Sequence, residues 1–372
     1  MQNRSIAIVA NSTWNIYNFR LNIIRKLLNE DWSVTVIAPL DEYISYKERF
    51  PRVKHVPLKS LNRDNRNPFK DLSLFRELKK IYKTIKPDLV IHYTHKPNIY
   101  GGLAARQCGI KSIAVITGLG YPFIHEGIVN RITKRLYRMS SNCHSKMIFE
   151  NEDDKAYFIE QGLVDASKAF AIKGCGVDTA IYLPVPNGLE KEKAIFTFIG
   201  RLLHDKGIVE FVEAAQAIKA SHPNTEFWVL GELDKQNPSM VKKSQLLDWI
   251  EKGAIVYHGF VKDVRPFIAK SDCIVLPSYR EGMPRIILEA MSMSKPVITT
   301  LTPGCRETVL EGENGFLVES QNSVALEKGM IQFLELDYEQ KHQMGEKGRA
   351  MAMEAFNSEK IAEVLYDIIS LD

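Results

Sequence analysis

Cysteine, long apolar runs and repeats are all scarce in this 372-residue sequence. Its five cysteines (Cys108, Cys143, Cys175, Cys273 and Cys305) are scattered, odd in number and without CxxC spacing. That speaks against a disulfide framework or a cysteine-bound zinc and fits a reducing cytoplasm. No apolar run approaches the roughly eighteen uncharged residues of a membrane span. The opening MQNRSIAIVA enters a strand directly, so no signal peptide is expected. No internal repeat or low-complexity tract appears. With 45% apolar and 25% charged residues, the composition excludes collagenous, mucin-like and wholly disordered chains. The length accommodates two domains, each with its own core.

A formal net charge of +4 conceals an asymmetry. Residues 1–150 carry 25 Lys and Arg against 11 Asp and Glu, a surplus of 14, while the remainder carries 24 against 34, a deficit of 10. A basic half suggests an anionic partner: nucleic acid, a phosphorylated ligand or an acidic membrane surface. No nucleic-acid module or aromatic stacking platform is present, so nucleic acid is set aside. Residues 130–138 (NRITKRLYR) and 70–86, which contains Phe75 and Tyr82, read as basic helices. They suit anionic headgroups, and equally suit a core face backed by solvent; two such segments in one half favour the membrane.

Short Val-, Ile- and Phe-rich runs alternate with amphipathic helical stretches. Strands are expected at 5–10, 33–39, 88–93, 112–117 and 146–150, then at 195–199, 226–230, 255–258, 273–277, 296–299 and 316–318. The alternation predicts an α/β chain of two Rossmann-like, doubly wound domains facing across a cleft. Residues 1–183 form the first, 184–357 the second, and 358–372 a helix crossing back. The break is placed at 184–193, where prolines, a glycine and charges cluster.

Ligands of such sheets bind beyond the carboxyl ends of the strands. There stands Gly200-Arg201-Leu202-Leu203-His204-Asp205-Lys206-Gly207, ahead of a helix at 208–220. A strand end, two cations and a helix start make a phosphate site, with backbone N–H groups facing the anion; the plainer reading is two surface cations flanking a turn. After strand 273–277 comes Glu281-Gly282-Met283-Pro284, with Pro284 expected in the first helical turn. Glu281 is placed to accept from ligand hydroxyls and Glu289 from a vicinal diol, unless they merely cap and solvate that helix. Gly174 and Gly176 allow close backbone approach. They match a dinucleotide fingerprint poorly, so NAD is set aside. In the basic half, Arg63 lies in the loop at 62–68. His95, Lys96 and Asn98 follow a strand end, where a substrate is expected, whereas His92 reads as a core histidine. HxxH at 92–95 has no helix, third ligand or carboxylate cluster, so no metal site is expected. Asp153 and Asp154 read as helix caps after Asn151.

GCGVD at 174–178, GRLLHDKG at 200–207, LPSYREGMPRIILEA at 276–290, KPVITT at 295–300 and GENGFLV at 312–318 together resemble the retaining GT-B glycosyltransferases of family 4, group 1. IYNFR at 16–20, NRDNRNPF at 62–69, HKPNIYG at 95–101 and TGLGY at 117–121 resemble a bacterial branch that extends undecaprenyl-diphosphate-linked sugars, α-1,3-N-acetylgalactosaminyltransferases among them. The resemblance implies that Arg201 and Lys206 bind the donor diphosphate and that Glu281 holds sugar hydroxyls. Gly176, Gly200, Gly282, Met283 and Pro284 would line the donor site, Phe260 and Val261 would meet the base, and Glu289 would bind the ribose. Asn15, Arg63, His95, Lys96, Asn98 and Gly118 would face the acceptor. The family's paired glycines after the first strand are replaced by residues 11–15. A histidine that several relatives carry after the fifth strand is replaced by the loop at 117–121, leaving backbone atoms or His95 to substitute.

The expected reaction moves a sugar, N-acetylgalactosamine in α-1,3 linkage, from a UDP-sugar to an undecaprenyl-diphosphate-linked saccharide in surface polysaccharide assembly. It proceeds with retention, without metal or cofactor, on the cytoplasmic face of an anionic inner membrane. The alternatives are a noncatalytic nucleotide-sugar-binding scaffold and a UDP-sugar epimerase of the same fold.

Overall fold

The computed structural model describes residues 4–61, 68–185 and 193–371. The chain divides into two compact units, Met1–Cys175 with Ser358–Asp372, and Gly176–Asn357.

The first unit holds a seven-stranded parallel sheet made of β1 (Ser5–Val9), β2 (Ser33–Ala38), β3 (Lys54–Pro57), β4 (Leu89–Tyr93), β5 (Lys111–Ile116), β6 (Lys146–Phe149) and β7 (Ala169–Ala171). Their order is β3-β2-β1-β4-β5-β6-β7, so the winding reverses between β1 and β4. β4 is buried along its whole length because helices cover both faces of the sheet. Ile23, Ile24 and Leu27 pack on one face; Leu74, Leu78 and Tyr82 pack on the other. β3 and β7 escape the sequence reading. Both are edge strands: the first, Lys-His-Val-Pro, is nowhere fully buried, and the second is only three residues long.

Helix Ser358–Ser370 joins this unit through Ile361, Leu365 and Ile368. The buried Lys146 side chain reaches the helix's open end, donating to the carbonyl oxygens of Ile368 at 2.7 Å and of Leu371. A cation at a helix carboxyl terminus satisfies orphan carbonyls and meets the negative end of the dipole.

The second unit holds β8 (Ala194–Ile199), β9 (Thr225–Leu230), β10 (Val256–Gly259), β11 (Cys273–Leu276), β12 (Val297–Thr300) and β13 (Gly315–Val318), all parallel, in the order β10-β9-β8-β11-β12-β13. Its winding reverses between β8 and β11, which puts the loops after those two strands on either side of the switch-point crevice. The division at Cys175–Gly176 falls ahead of the expected break at 183–184. The intervening segment is held by the second unit: Val177 N–H donates to the Phe356 carbonyl at 2.8 Å, and the Tyr182 carbonyl accepts from Ser292 Oγ at 2.7 Å and Arg349 at 2.9 Å. Part of the expected linker, 186–192, lies outside the described residues.

Candidate active site

The loop after β8 begins at Gly200 and runs through the short turn His204–Lys206 to Gly207, where helix Ile208–Ser221 starts. Gly207 is left-handed (φ 74°), and a Cβ there would lie 2.1 Å from the Pro277 carbonyl oxygen, so only glycine lets this loop pass the end of β11. Most of the loop's own backbone N–H groups, expected to face an anion, are already bonded within the protein. Those of Leu202, His204 and Asp205 donate to the Glu232 carbonyl (3.0 Å), the Ser239 carbonyl (2.7 Å) and Ser239 Oγ (3.0 Å) on the segment after β9. Those of Leu203, Lys206 and Gly207 close turns within the loop. The loop also carries two cationic side chains, Arg201 and Lys206.

Both cations already face carboxylates. Arg201 pairs with Asp234 at 2.7 Å, and Lys206 Nζ hydrogen-bonds Glu281 Oε1 across the switch point. The Lys206 and Glu281 side chains are 21% and 12% exposed, enough shielding to strengthen their interaction and enough access to meet a ligand. The Glu281 loop is braced from two sides. Toward β8, Tyr279 N–H and Ser278 Oγ both donate to the Asp205 carbonyl, at 2.9 and 3.1 Å. Toward β12, Thr300 and Thr302 donate to the Ser278 carbonyl at 2.5 and 3.1 Å, and Glu281 N–H donates to the Pro303 carbonyl at 3.1 Å. Gly304 (φ 81°) lies so close that a Cβ would come within 2.4 Å of the Glu281 carbonyl oxygen and 2.6 Å of that of Gly282. Ser278, Thr300, Thr302 and Gly304 were missed; their only sequence signal is small and hydroxyl residues directly after apolar strands.

Pro284 is the N-cap residue, not a first-turn residue: helix Arg285–Ser292 begins one position later, with Ile287 N–H bonded to the Pro284 carbonyl at 3.0 Å. Gly282 and Pro284 are buried and Met283 half-buried. Glu289 is 8% exposed, one helical turn from Arg285 at 2.8 Å and bonded to the Tyr182 hydroxyl. Burial raises its carboxyl pKa above the ordinary value, against the pull of Arg285 and Tyr182. Phe260, just past β10, is 53% exposed beside the half-buried Val261, so an apolar ring stands ready to stack. Gly176 (φ 69°) is buried where the second unit begins.

In the first unit the expected acceptor residues turn inward. Lys96 is paired with Asp71 at 2.7 Å, and Tyr100 also donates to that carboxylate at 3.1 Å. Asn98 is 1% exposed and donates to the Val115 carbonyl at 2.9 Å, which makes it a packing residue rather than a group presented to a substrate. His95 Nδ1 lies 2.7 Å from the Tyr137 hydroxyl, and its ring stacks on Phe123. Although part of the ring stays accessible, burial pushes its pKa down to about 4, so it is neutral at pH 7. His92 is a core histidine, 2.8 Å from the Tyr82 hydroxyl. Gly118 (φ 105°) is half-buried in the loop after β5. Arg63 lies outside the described residues. Asn151 caps helix Glu152–Glu160 by accepting from Asp154 N–H at 2.7 Å, so Asp153 and Asp154 occupy its first turn instead of the cap.

Asn15 is buried, and its Oδ1 accepts from Arg20 Nε at 3.4 Å. Arg20, also buried, stacks over the Tyr93 ring at 4.0 Å and reaches Glu150 at 3.5 Å. Sequence reasoning missed this network because Arg20 and Glu150 are far apart in the chain.

Two family profiles match the chain, "Glycosyl transferase 4-like" over residues 5–151 and "Glycosyl transferases group 1" over residues 183–351. Over 346 residues the chain is 30% identical to the N,N'-diacetylbacillosaminyl-diphospho-undecaprenol alpha-1,3-N-acetylgalactosaminyltransferase of Campylobacter jejuni, covering 89% of each protein. The chain belongs to the group 1 glycosyltransferases of GT-B fold. It is also 29% identical to the Escherichia coli UDP-Gal:alpha-D-GlcNAc-diphosphoundecaprenol alpha-1,3-galactosyltransferase, over 79% of this chain and 78% of that one. Among solved structures, Anabaena HepE in complex with UDP and glucose superposes with a TM-score of 0.80 at 20% identity, covering 98% and 99% of the two chains. A Rickettsia africae glycosyltransferase superposes at 0.79 and 19% identity, covering 100% of both. Both share the fold.

In this glycosyltransferase, Lys206 meets Glu281 across the switch point, and Arg201 stands on the same loop as Lys206. That arrangement can offset negative charge on a leaving group while a carboxylate accepts from hydroxyls. Away from the crevice, helix Ile128–Ser141 leaves Ile128, Val129, Ile132 and Met139 between 54% and 70% exposed, among exposed Arg131, Arg135 and Arg138. The expected apolar partners Tyr137 and Leu136 instead face inward, fully and partly buried. No helix among the described residues is long and apolar enough to cross a membrane.

Proposed function

We propose that this glycosyltransferase moves N-acetylgalactosamine, in α-1,3 linkage and with retention, from a UDP-sugar to an undecaprenyl-diphosphate-linked saccharide in surface polysaccharide assembly. The observation that carries the reading is the meeting of Lys206 with Glu281, beside Arg201, at the switch point of the second sheet. Breaking the anomeric C–O bond leaves positive charge on the sugar and negative charge on the departing diphosphate. Arg201 and Lys206 take the second charge, and Glu281 accepts from the sugar hydroxyls. Among the residues assigned to the donor sugar, Glu281 is the single carboxylate. Same-face attack by the acceptor hydroxyl therefore fits better than a covalent glycosyl-enzyme. Phe260, Val261 and Glu289 take the nucleoside, and leaving-group charge held by two side chains predicts turnover in EDTA. Similarity to the Campylobacter and Escherichia enzymes along most of the chain supports the lipid-linked acceptor and the uridine donor.

The exposed apolar residues of helix Ile128–Ser141, set among arginines, suit an anionic headgroup layer on the inner membrane face, where such an acceptor resides. The test is a panel of UDP-sugars against an undecaprenyl-diphosphate-linked sugar, with product stereochemistry read by NMR. An α-linked N-acetylgalactosaminyl product is expected. A β-linked product overturns retention, and nucleotide binding without UDP release overturns catalysis. Sedimentation with vesicles of anionic lipid, weakened in Ile132→Asp, tests the membrane reading.

A further inference from the structure

Arg201, assigned above to the donor diphosphate, already has an occupant on its guanidinium. Asp234 Oδ2 lies 2.7 Å away, and the two partners are unequally placed: the arginine side chain is 43% exposed and the aspartate 13%. Asp234 Oδ1 accepts from Gln236 N–H at 3.3 Å, and its backbone carbonyl accepts from Asn237 N–H at 2.9 Å. The segment that carries it is laced to the loop after β8 by Leu202 N–H to Glu232, His204 N–H to Ser239 and Val241 N–H to Leu202, at 3.0, 2.7 and 3.1 Å. The carboxylate is thus the fixed partner and the guanidinium the one that can swing on its flexible stem. A second carboxylate, Glu281, holds Lys206 in the same crevice, so the four side chains sum to no net charge before a donor arrives.

We propose that Asp234 is a displaceable counter-ion: it holds Arg201 while the crevice is empty, yields it to the diphosphate, and takes it back as UDP leaves. The inference rests on the assignment of Arg201 to the donor diphosphate and adds a residue that the sequence reading did not single out. A ligand that needs Arg201 released binds more weakly, in proportion to the fraction of molecules in which the pair is open. A half-exposed ion pair is closed in most molecules but not overwhelmingly so. Uridine, which has no phosphate, does not require the release. Asp234 therefore weakens UDP and spares the nucleoside, and so speeds product departure.

The experiment is calorimetric titration of the full chain with UDP and with uridine, for the parent, Asp234→Asn, Arg201→Ala and the double variant. Asp234→Ser is a second probe, and melting temperature reports on folding. UDP affinity is expected to rise about fivefold in Asp234→Asn, with uridine unchanged and with no gain from Asp234→Asn once Arg201 is alanine. Unchanged or weaker UDP binding in both Asp234 variants, while Arg201→Ala binds UDP poorly, overturns the counter-ion role and leaves the donor assignment standing. A gain that persists without Arg201, or that extends to uridine, also overturns it, because removal of a nearby negative charge would then suffice. Full UDP affinity in Arg201→Ala removes the donor assignment and the counter-ion together.

Discussion

In the second unit, charged side chains beyond the strand ends face one another with part of each left in water: Arg201 against Asp234 of the segment after β9, and Lys206 against Glu281 across the switch point. At the ends of β4 and β5 in the first unit, Asn98 is taken up by a strand carbonyl and His95 by Tyr137 and Phe123, while Lys96 keeps a partly exposed pair with Asp71. The lesson is that a position beyond a strand end is not enough to make a binding group. In the second unit Arg201 and Lys206 each hold a carboxylate with a partly exposed side chain, so a ligand can replace a partner. In the first, the partners of Asn98 and His95 belong to the packing, and replacing them means disturbing it.

The contrast is open to direct attack. The largest effect is expected from Lys206→Ala, which should lower kcat about a hundredfold, roughly 3 kcal/mol of lost charge stabilisation, with the melting temperature unchanged. Full turnover would erase the distinction between the units.

The next effect is a pH dependence in the first unit. Burial pushes His144 and His95 down to about 4 and holds His92 well below its ordinary value. Between that range and the ordinary value of about 6.5, the unfolded chain binds protons that the folded unit refuses. Stability is therefore present above about pH 6.5 and is lost as pH falls toward 4, by up to about 3 kcal/mol per fully buried histidine. Urea unfolding at pH 7 and pH 5, followed by a probe in the first unit, should show the loss. Equal midpoints would mean that these histidines are solvated.

Gly304→Ala comes third. Its methyl would meet two backbone carbonyls that cannot rotate away, at a positive φ. A cost of about 1–3 kcal/mol to the second unit and about a tenfold loss of kcat/KM through displacement of Glu281 are expected, measured by thermal unfolding and steady-state kinetics. The smallest effect belongs to Lys96→Ala. It removes a partly exposed ion pair and should change stability by no more than about 1 kcal/mol, with acceptor KM unmoved. A large rise in KM would return Lys96 to the acceptor site.

Much of this was legible in the chain itself. Inner parallel strands are continuous apolar runs, and all of them could be read. The edge strands β3 and β7 could not, the first because it opens with Lys-His and is nowhere fully buried, the second because it is three residues long, although β10 and β13, also at sheet edges, could. Arg201, Lys206 and Glu281 were legible because each follows such a run within a few residues, where doubly wound sheets put their ligands. The same rule could not show that Asp71 pairs with Lys96 or that Val115 takes Asn98, because those residues belong to other elements.

Sequence alone determined the two-sheet α/β architecture and the charged residues of the second unit's crevice, because periodicity and strand-end position are local properties. Tertiary structure alone decided which of those charges are already paired and which backbone N–H groups are already taken. It also decided that Arg20 and Glu150 share a buried network and that Gly304 backs Glu281. Hydrogen bonds and ion pairs between residues tens of positions apart leave no local pattern, and they come into being only when the strands that carry them are laid side by side.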